Sequence, residues 1–519
     1  MRIHRCMIVL VLACIQGLAT HAIRAQTPVI EWQRSYLTLY NLYDVKETPD
    51  HGFIFTGFGE HHEHDTFVNH GASDLLLLRT DATGKVLWVR SYGGYGYDMG
   101  AAVECTPDGG FIVASTSDSA SGTVTQNAGE TDAWVLKTGA MGEVQWQVSL
   151  GGNSEEHGVC IAQTTDSGYL LGATTWSQQG SFKGNHGGRD LWLVKLNAKG
   201  KVLWSRFYGG SFSEDFGALR ILPGGDFLLC GSTGSKDGDV KNARGKTPLG
   251  DLWMLRTDDT GAIRWSQCYG GSKAEYGGKV WVKPDGGFLL AGQSASSDSD
   301  LVSNKGGFDF WLVETDSAGK LQWQANYGGA MDEYCSGLAV DSAGFVYMSG
   351  FTRSIDGDVN GNHRNYNDYW VLKTRLRGNL LWQRCLGGDH DDRSSAMTPV
   401  HDGSLLLVGW ASSESGDVLR NPNLGCPWLV KLSDRFNSVD ETPSAEPVLF
   451  PNPADRMLHL NAPVTGLVLW DVTGREVFRP QVPACGLREI QLPMLKEGVY
   501  LLQWIRNGRQ ESARVSIKR

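Results

Sequence analysis

The sequence predicts an all-β protein in which a seven-bladed β-propeller is followed by a small Ig-like β-sandwich. Three observations predict this fold class. A Trp near a glycine turn recurs at intervals of about 58 residues, each interval holds four short apolar runs, and the composition changes after Phe436. Tandem four-stranded units of about 40–60 residues are typical of propellers, whereas the repeat of a β-helix is much shorter.

The first 25 residues have the pattern of a secretory signal peptide. Arg2 and Arg5 precede the short apolar run Met7–Ile15, and Ala25 is a small residue at which a peptidase could cut. The apolar run is too short to span a bilayer. A lipoprotein signal that ends before Cys14 is the alternative, and both interpretations predict export.

The repeat is marked by Trp residues at regular spacing. They are Trp32, Trp88, Trp146, Trp204, Trp265, Trp323 and Trp382. After each of them except the first come an aromatic or apolar residue and two glycines, as in Tyr208-Gly209-Gly210, and then a carboxylate. Glycine supplies turn conformations that other residues resist, so this phrase predicts a tight connection between blades.

Each unit contains four predicted strands, a to d in chain order. In one unit they cover residues 216–222, 226–231, 251–257 and 262–269. Apolar residues alternate or run continuously over five to eight positions there, as in half-buried and buried strands. Helical periodicity is absent, and turn residues separate the runs.

The two ends of the repeat predict how the ring closes. The last unit stops after its third strand, near residues 427–432, and an unmatched fourth-strand sequence lies at residues 30–36. Pairing of these two segments would remove the free sheet edges. The predicted boundaries are a signal peptide at 1–25, the propeller at 26–436, a linker at 437–447 and a C-terminal domain at 448–519.

One end of the blades is the candidate ligand face. In an antiparallel blade the b–c loops and the d–a connections lie at the same end, here called the loop face; the a–b and c–d turns lie at the other end, the turn face. The d–a connections carry the carboxylates Asp98, Glu156, Asp215, Glu275, Glu333 and Asp391. Function concentrates in loops held by a rigid scaffold, so we expect these residues to contact the ligand. The Asp-x-Trp motif of strand c, as at Asp309, is instead interpreted as structural.

Two loops suggest metal ions. Asp356, Asp358, Asn360 and Asn362 place oxygen atoms at alternate positions, as at the start of a calcium loop, but the twelfth position is Asn367 and not Glu. A polar turn is the competing interpretation. The His-rich run at 60–65 could bind zinc or copper. The prediction for cofactors is therefore none, with calcium as the alternative.

Several classes of function are disfavoured. The net charge of −10 argues against a nucleic-acid surface. Hydrolase, metalloprotease and phosphate-loop signatures are absent, so no catalytic residue is assigned. The eight cysteines that follow the signal segment have no regular spacing and are expected to be mostly small strand residues, with one disulfide left open.

The C-terminal 75 residues or so contain an ordered set of motif residues, which are Pro451, Asn452, Pro453, Asp471, Gly474, Gly498, Tyr500 and Lys518. With these residues, this segment resembles the type A sorting domain of the Bacteroidetes type IX secretion system. The resemblance implies export through the outer-membrane translocon, processing by its sorting peptidase, and release or attachment to anionic lipopolysaccharide. The propeller repeats also resemble those of uncharacterised surface proteins from the same bacteria.

Together these patterns predict a secreted or cell-surface propeller, associated with the outer membrane, that binds a glycan or a protein. A secreted polysaccharide hydrolase is one alternative, because the loops are rich in carboxylates and aromatic residues. A structural surface protein is the other.

Overall fold

A computed structural model describes residues 28–36, 41–60, 68–179, 182–245, 250–363, 366–419, 425–433, 457–471, 475–480, 487–506 and 509–517. All regular elements in these ranges are β-strands. Within them no helix is long and apolar enough to cross a membrane. The chain divides into two compact units between Arg435 and Phe436.

The first unit contains seven four-stranded antiparallel sheets, each with its strands in chain order except the last. Blade one consists of β2 (Asn41–Glu47), β3 (Phe53–Glu60), β4 (Ser73–Thr80) and β5 (Val86–Tyr92). Blade two consists of β6 (Asp98–Cys105), β7 (Phe111–Ser117), β8 (Asp132–Thr138) and β9 (Val144–Leu150). Blade three consists of β10 (Glu156–Gln163), β11 (Tyr169–Thr175), β12 (Asp190–Leu196) and β13 (Val202–Tyr208). Blade four consists of β14 (Glu214–Ile221), β15 (Phe227–Thr233), β16 (Asp251–Thr257) and β17 (Ile263–Tyr269). Blade five consists of β18 (Glu275–Val282), β19 (Phe288–Ser294), β20 (Asp309–Thr315) and β21 (Leu321–Tyr327). Blade six consists of β22 (Glu333–Val340), β23 (Phe345–Thr352), β24 (Asp368–Arg375) and β25 (Leu380–Leu386). Blade seven is β26 (Asp392–Pro399), β27 (Leu405–Ala411), β28 (Cys426–Ser433) and β1 (Val29–Ser35).

The first strands of the seven sheets form a closed inner ring. Each of these inner strands contacts the inner strands of the blades before and after it, and β2 contacts β26. The seven-bladed propeller predicted from the repeat is therefore the fold of this unit.

The N-terminal strand completes the last blade. It pairs antiparallel with β28, with Gln33 opposite Val430 and Ser35 opposite Trp428. Gln33 Oε1 accepts the indole N–H of Trp428 at 2.9 Å, just as Gln147 accepts that of Trp134 at 2.9 Å in blade two. The strand thus supplies the contacts that the fourth strand supplies in other blades.

The core lies between neighbouring blades. The second and third strands are buried on both faces, as continuous apolar runs require, whereas the outer strands begin with exposed residues. Fully buried Trp side chains of the third strands fill the space between sheets; they are Trp134, Trp253, Trp311, Trp370 and Trp428. Such large flat side chains bury much area in this position.

In several blades, a tyrosine at the end of the outer strand forms a hydrogen bond to the next blade. The Tyr208 hydroxyl donates to the carbonyl of Gly261 at 2.7 Å, and that of Tyr327 donates to Gly378 at 2.8 Å. Tyr36, directly after β1, donates to Gly84 at 2.6 Å. The same bond therefore joins the last blade to the first.

The second unit is a small all-β unit of five strands. They are β29 (Met457–Trp470), β30 (Glu476–Phe478), β31 (Leu487–Gln491), β32 (Gly498–Arg506) and β33 (Arg509–Ile517). The long β29 pairs with β31 through its first half and with β32 through its second half. A strand shared in this way is typical of sandwiches. Its core includes Leu469, Tyr500, Leu502 and Val515.

Candidate functional site

The repeated carboxylate of the d–a connection is the first residue of the inner strand and is completely buried. Asp98, Glu156, Glu275 and Glu333 have no exposed surface. The expectation that these four contact a ligand is therefore wrong. The sequence interpretation placed the strand too late, because in the fourth blade it begins at Glu214 and not at residue 216.

In two blades the sequence prediction chose the neighbour of the buried carboxylate. Glu214 and Asp392 are the buried residues, whereas Asp215 and Asp391 lie one position away at the surface. Asp215 forms an ion pair with Arg189, and Asp391 lies 3.3 Å from an Arg393 nitrogen. These two predicted residues remain accessible on the loop face.

The buried carboxylates hold the connection between blades. Glu333 Oε2 accepts the backbone N–H of Gly329 at 2.9 Å, and its Oε1 accepts the Thr352 hydroxyl at 2.7 Å. The bond from the glycine N–H recurs at six junctions and the hydroxyl bond at five, because Ala411 replaces the hydroxyl residue in blade seven and Asp392 Oδ1 accepts the backbone N–H groups of Ser412 and Ser413 there. The role of the carboxylate is to satisfy the amide of the Gly-Gly phrase inside the protein, where unpaired polar groups are costly.

A second buried carboxylate faces the first at each of these junctions. Asp309 opens the third strand, and the backbone of Gly328 lies between it and Glu333: a Cβ on that glycine would be 2.3 Å from Asp309 Oδ1 and 2.2 Å from Glu333 Oε2. Only glycine fits there. Burial raises the pKa of Asp309 to about 6 and that of Glu333 to about 7.

These carboxylate pairs resemble catalytic acids in their raised pKa values, but their setting is different. Perturbed carboxylates cluster at active sites that a substrate can reach. Here the pair recurs at six junctions, and its members are at most 2% exposed. We therefore assign the pairs a structural role, and they give no support to a hydrolase.

The residue that follows each buried carboxylate position differs from blade to blade. These seven residues, which we call the rim, are Asn41, Met99, His157, Asp215, Tyr276, Tyr334 and Arg393. Arg393 is exposed and the other six are half-buried. Since they occupy equivalent positions on the inner strands, they encircle the axis at the loop face. The repeated inner strands thus present seven different side chains at equivalent positions.

Aromatic rings form an arc on one side of the rim. The ring of Phe308 lies between those of Tyr276 and Tyr334, with centroid distances of 5.7 and 5.8 Å. Tyr334 stacks on Phe351 at 5.1 Å, and the Arg393 guanidinium lies 5.6 Å from the centroid of Phe351. The arc spans blades five to seven and combines flat apolar surfaces with a cation.

A second cluster lies across blades three and four. Arg189 stacks on Trp176 at 4.6 Å, and the His157 ring meets the edge of Trp176 at 5.6 Å. Arg189 also pairs with Asp215. Neither aromatic cluster is recognisable in the sequence, because the members of each come from different strands and no single repeat contains them.

A cavity of about 520 Å³ lies on the axis and is lined by all seven inner strands. Lys46, Glu104, Arg220 and Lys279 are among its charged lining residues. Lys46 is 2.9 Å from Glu104. These four residues lie in the second halves of their strands, toward the turn face.

The side chains of the predicted calcium loop contact protein groups. Asp356 Oδ1 accepts the N–H of Ala330 at 2.7 Å, and Asp358 pairs with Lys305. The Asn362 amide donates to the Thr352 carbonyl at 3.0 Å, whereas Asn360 contributes its backbone carbonyl to Gln383. These contacts favour the polar-turn interpretation, and calcium binding stays a prediction. The His-rich run at 61–65 lies outside the described residues.

Three of the predicted sorting residues are described. Asp471 and Arg475 exchange two hydrogen bonds across a turn, the Tyr500 hydroxyl donates to the Lys496 carbonyl at 2.9 Å, and Gly498 has φ +156°. Pro451, Asn452, Pro453, Gly474 and Lys518 lie outside the described residues. The seven described cysteines after the signal segment are free thiols.

Comparisons with known proteins do not assign a family. No protein-family model matches the chain. A segment of 276 residues, half of this chain, is 23% identical to the regulatory protein FlaEY of Caulobacter vibrioides, and it covers 27% of that protein.

Solved structures with some likeness include propellers of different function. The match to the WD40 domain of Pan2 from Neurospora crassa spans 78% of this chain and 96% of that domain, with 8% identity and a TM-score of 0.43. The match to an apocarotenoid oxygenase from Synechocystis spans 74% of this chain and 88% of the oxygenase chain, with 14% identity and a TM-score of 0.36. The assignment of the fold rests on the seven sheets themselves.

Proposed function

We propose that the propeller is a binding module whose rim and aromatic arc hold a glycan at the loop face. The observation that supports this most directly is the arc Tyr276–Phe308–Tyr334–Phe351 with Arg393 beside it. Flat rings offer apolar faces to the C–H surfaces of a sugar, and the adjacent Arg393 and Asp391 can hydrogen-bond hydroxyl groups.

The arrangement also suits recognition by a rigid scaffold. The inner-strand frame is fixed by buried carboxylates, so the rim side chains are held in place before a ligand arrives, which lowers the entropy cost of binding. The varied rim residues explain how one repeat can build a specific site.

A glycan array with the full-length secreted chain tests this proposal. Tyr334→Ala combined with Arg393→Ala should weaken binding at least tenfold, since buried aromatic and Arg contacts dominate such interfaces. Leu203→Ala is the matched control, because Leu203 is 53% exposed near the turn face. Absence of any glycan hit, or equal binding by the double variant, would contradict the proposal.

We further propose that the C-terminal unit directs export by the type IX route and that the mature protein acts at the cell surface. The support is the resemblance of its motifs, including Asp471, Gly498 and Tyr500. Removal of residues 448–519 in the native cell should leave the propeller in the periplasm, measured by protease access on intact cells. Surface display of the shortened chain at normal levels would refute this route.

A further inference from the structure

The junction between the first and last blades carries a group of side chains that the proposed function does not use. Glu47 ends the inner strand of blade one, His51 lies in the a–b turn after it, and His401 lies in the a–b turn of blade seven. One ligand atom from each lies within 4.8 Å of the other two; among the described residues this is the one such group of His and acidic side chains.

The three side chains already converge on one oxygen atom. Glu47 Oε1 lies 3.4 Å from His51 Nδ1 and is in hydrogen-bond contact with His401 Nδ1. The two imidazole rings stack with centroids 3.6 Å apart. Glu47 Oε2 also accepts the backbone N–H of His401 at 2.8 Å, which fixes the carboxylate between the two turns.

All three residues depart from the repeat at this one junction. The position of His51 is occupied by glycine in five blades and by serine in one; these are Gly109, Ser167, Gly225, Gly286, Gly344 and Gly403. The position of His401 is most often proline, as at Pro107. The position of Glu47 carries no other acidic residue.

His51 is also strained. Its φ of +64° lies in the left-handed region that favours glycine; Ser167 at the equivalent turn has the same φ, and the sister glycines have φ between +81° and +94°. A non-glycine residue in this conformation is a reason to look for a function, and His51 differs from Ser167 in that its ring stacks on a second histidine, His401.

We propose that Glu47, His51 and His401 bind a divalent transition-metal ion such as Zn²⁺, which joins the first and last blades at the turn face. Two imidazoles and one carboxylate form a ligand set used by zinc, and imidazole favours zinc, copper or nickel over calcium or magnesium. Water would occupy the remaining position.

Coordination requires the two stacked rings to turn so that a nitrogen of each faces the ion. Zinc–nitrogen bonds of about 2.0–2.1 Å place two ligand nitrogens about 3.3 Å apart in a tetrahedral site. The side chains of His51 and His401 are 55% and 48% exposed, so their rings are free to turn, while Glu47 at 16% is held in place. The neighbouring Asp50 and Asp402 are engaged with Arg79 and Lys431.

A bound ion would link the first and last blades and so stabilise the closed ring. His401 lies 354 residues after Glu47 in sequence, and an ion that binds only the closed ring stabilises it by mass action. The site is at the opposite end of the blades from the rim, so failure of this proposal and failure of glycan binding are independent results.

Calorimetry and the visible spectrum of Co²⁺ on the metal-free full-length chain test the site. The chain should bind one Zn²⁺ equivalent tightly, and its melting temperature should rise by about 3 °C when free zinc is about 100 times the dissociation constant. His51→Gly and His401→Ser should each weaken this binding at least tenfold. Because His51→Gly installs the residue of the sister turns, it should melt no lower than the natural chain without metal.

Two further variants distinguish the site from other sources of zinc binding. Ser167→Gly makes the same backbone change in blade three and should bind zinc like the natural chain. A variant with His61, His62 and His64 changed to Ala should also keep the tight equivalent. If that equivalent is lost in this variant and kept in His51→Gly, or if the natural chain binds no zinc, the proposal is overturned.

Discussion

The buried carboxylate pair leads to a prediction with a defined sign: Asp309→Asn stabilises the protein above neutral pH. Asp309 Oδ2 accepts the N–H of Lys305 at 2.8 Å, whereas its Oδ1, which faces Glu333 across Gly328, has no hydrogen-bond partner within the described part of the chain. Asparagine keeps the acceptor and replaces the unpartnered oxygen by an N–H donor beside a carboxylate.

The magnitude follows from the pKa. Burial raises the pKa of Asp309 from 3.8 to about 6. Because the folded value is the higher one, the stabilisation by this group is fully present below about pH 4 and is lost as the pH rises through about 6. A shift of about two pKa units corresponds to about 3 kcal/mol, which relaxation of a protein interior reduces to about 1–2 kcal/mol.

Denaturant unfolding followed by Trp fluorescence at pH 4.5, 6 and 8 measures the effect. We expect Asp309→Asn to be more stable than the natural chain by about 1–2 kcal/mol at pH 8 and to match it within about 0.5 kcal/mol at pH 4.5. Asp259→Asn, at an exposed turn, controls for the change in net charge. A variant that is less stable at pH 8, or a gain that is the same at every pH, would refute the reasoning.

Two other predictions concern the junctions and the turn face. Tyr36→Phe removes the 2.6 Å hydrogen bond to the Gly84 carbonyl and should lower the free energy of unfolding by about 1 kcal/mol. Tyr208→Phe should have the same effect at an interior junction. If denaturant titrations show a much smaller effect for Tyr36→Phe than for Tyr208→Phe, the closing strand is not part of the cooperative ring. Asp166→Asn leaves the buried Lys195 ammonium, 2.7 Å away, without its charge partner and should cost about 1–2 kcal/mol at pH 7 after allowance for solvent screening. The hydrogen bond from Lys195 lowers the pKa of Asp166 to about 2, so this difference should disappear in unfolding titrations as the pH falls from about 4 through 2, and a constant difference would contradict the assignment.

The fold could be predicted from the sequence because the sequence is repetitive. Seven copies of a Trp at nearly constant spacing determine the number of blades, since each copy needs a neighbour to bury its apolar faces. The missing fourth strand of the last unit and the unmatched one near Trp32 predict the pairing of β1 with β28, because an open ring would leave two free edges.

The chemistry of the site was less accessible to sequence. Glu214 and Asp215 are adjacent, yet one is buried and the other lies on the rim, because successive side chains of a strand point to opposite faces. A shift of one residue in the start of the strand therefore exchanges the buried residue and the rim residue, and at Asp391 the sequence interpretation instead chose the residue before the buried Asp392.

The sequence by itself determined the architecture of this protein: an all-β chain, seven repeats, and closure by the N-terminal strand. These follow from periodic patterns that are local to each unit. Only the tertiary structure decided which carboxylates are buried, which rings form the arc, and that His51 and His401 meet. The physical reason is that these features depend on which face of a strand a side chain occupies and on contacts between different strands or blades, whose distances are set by the register and twist of the closed ring.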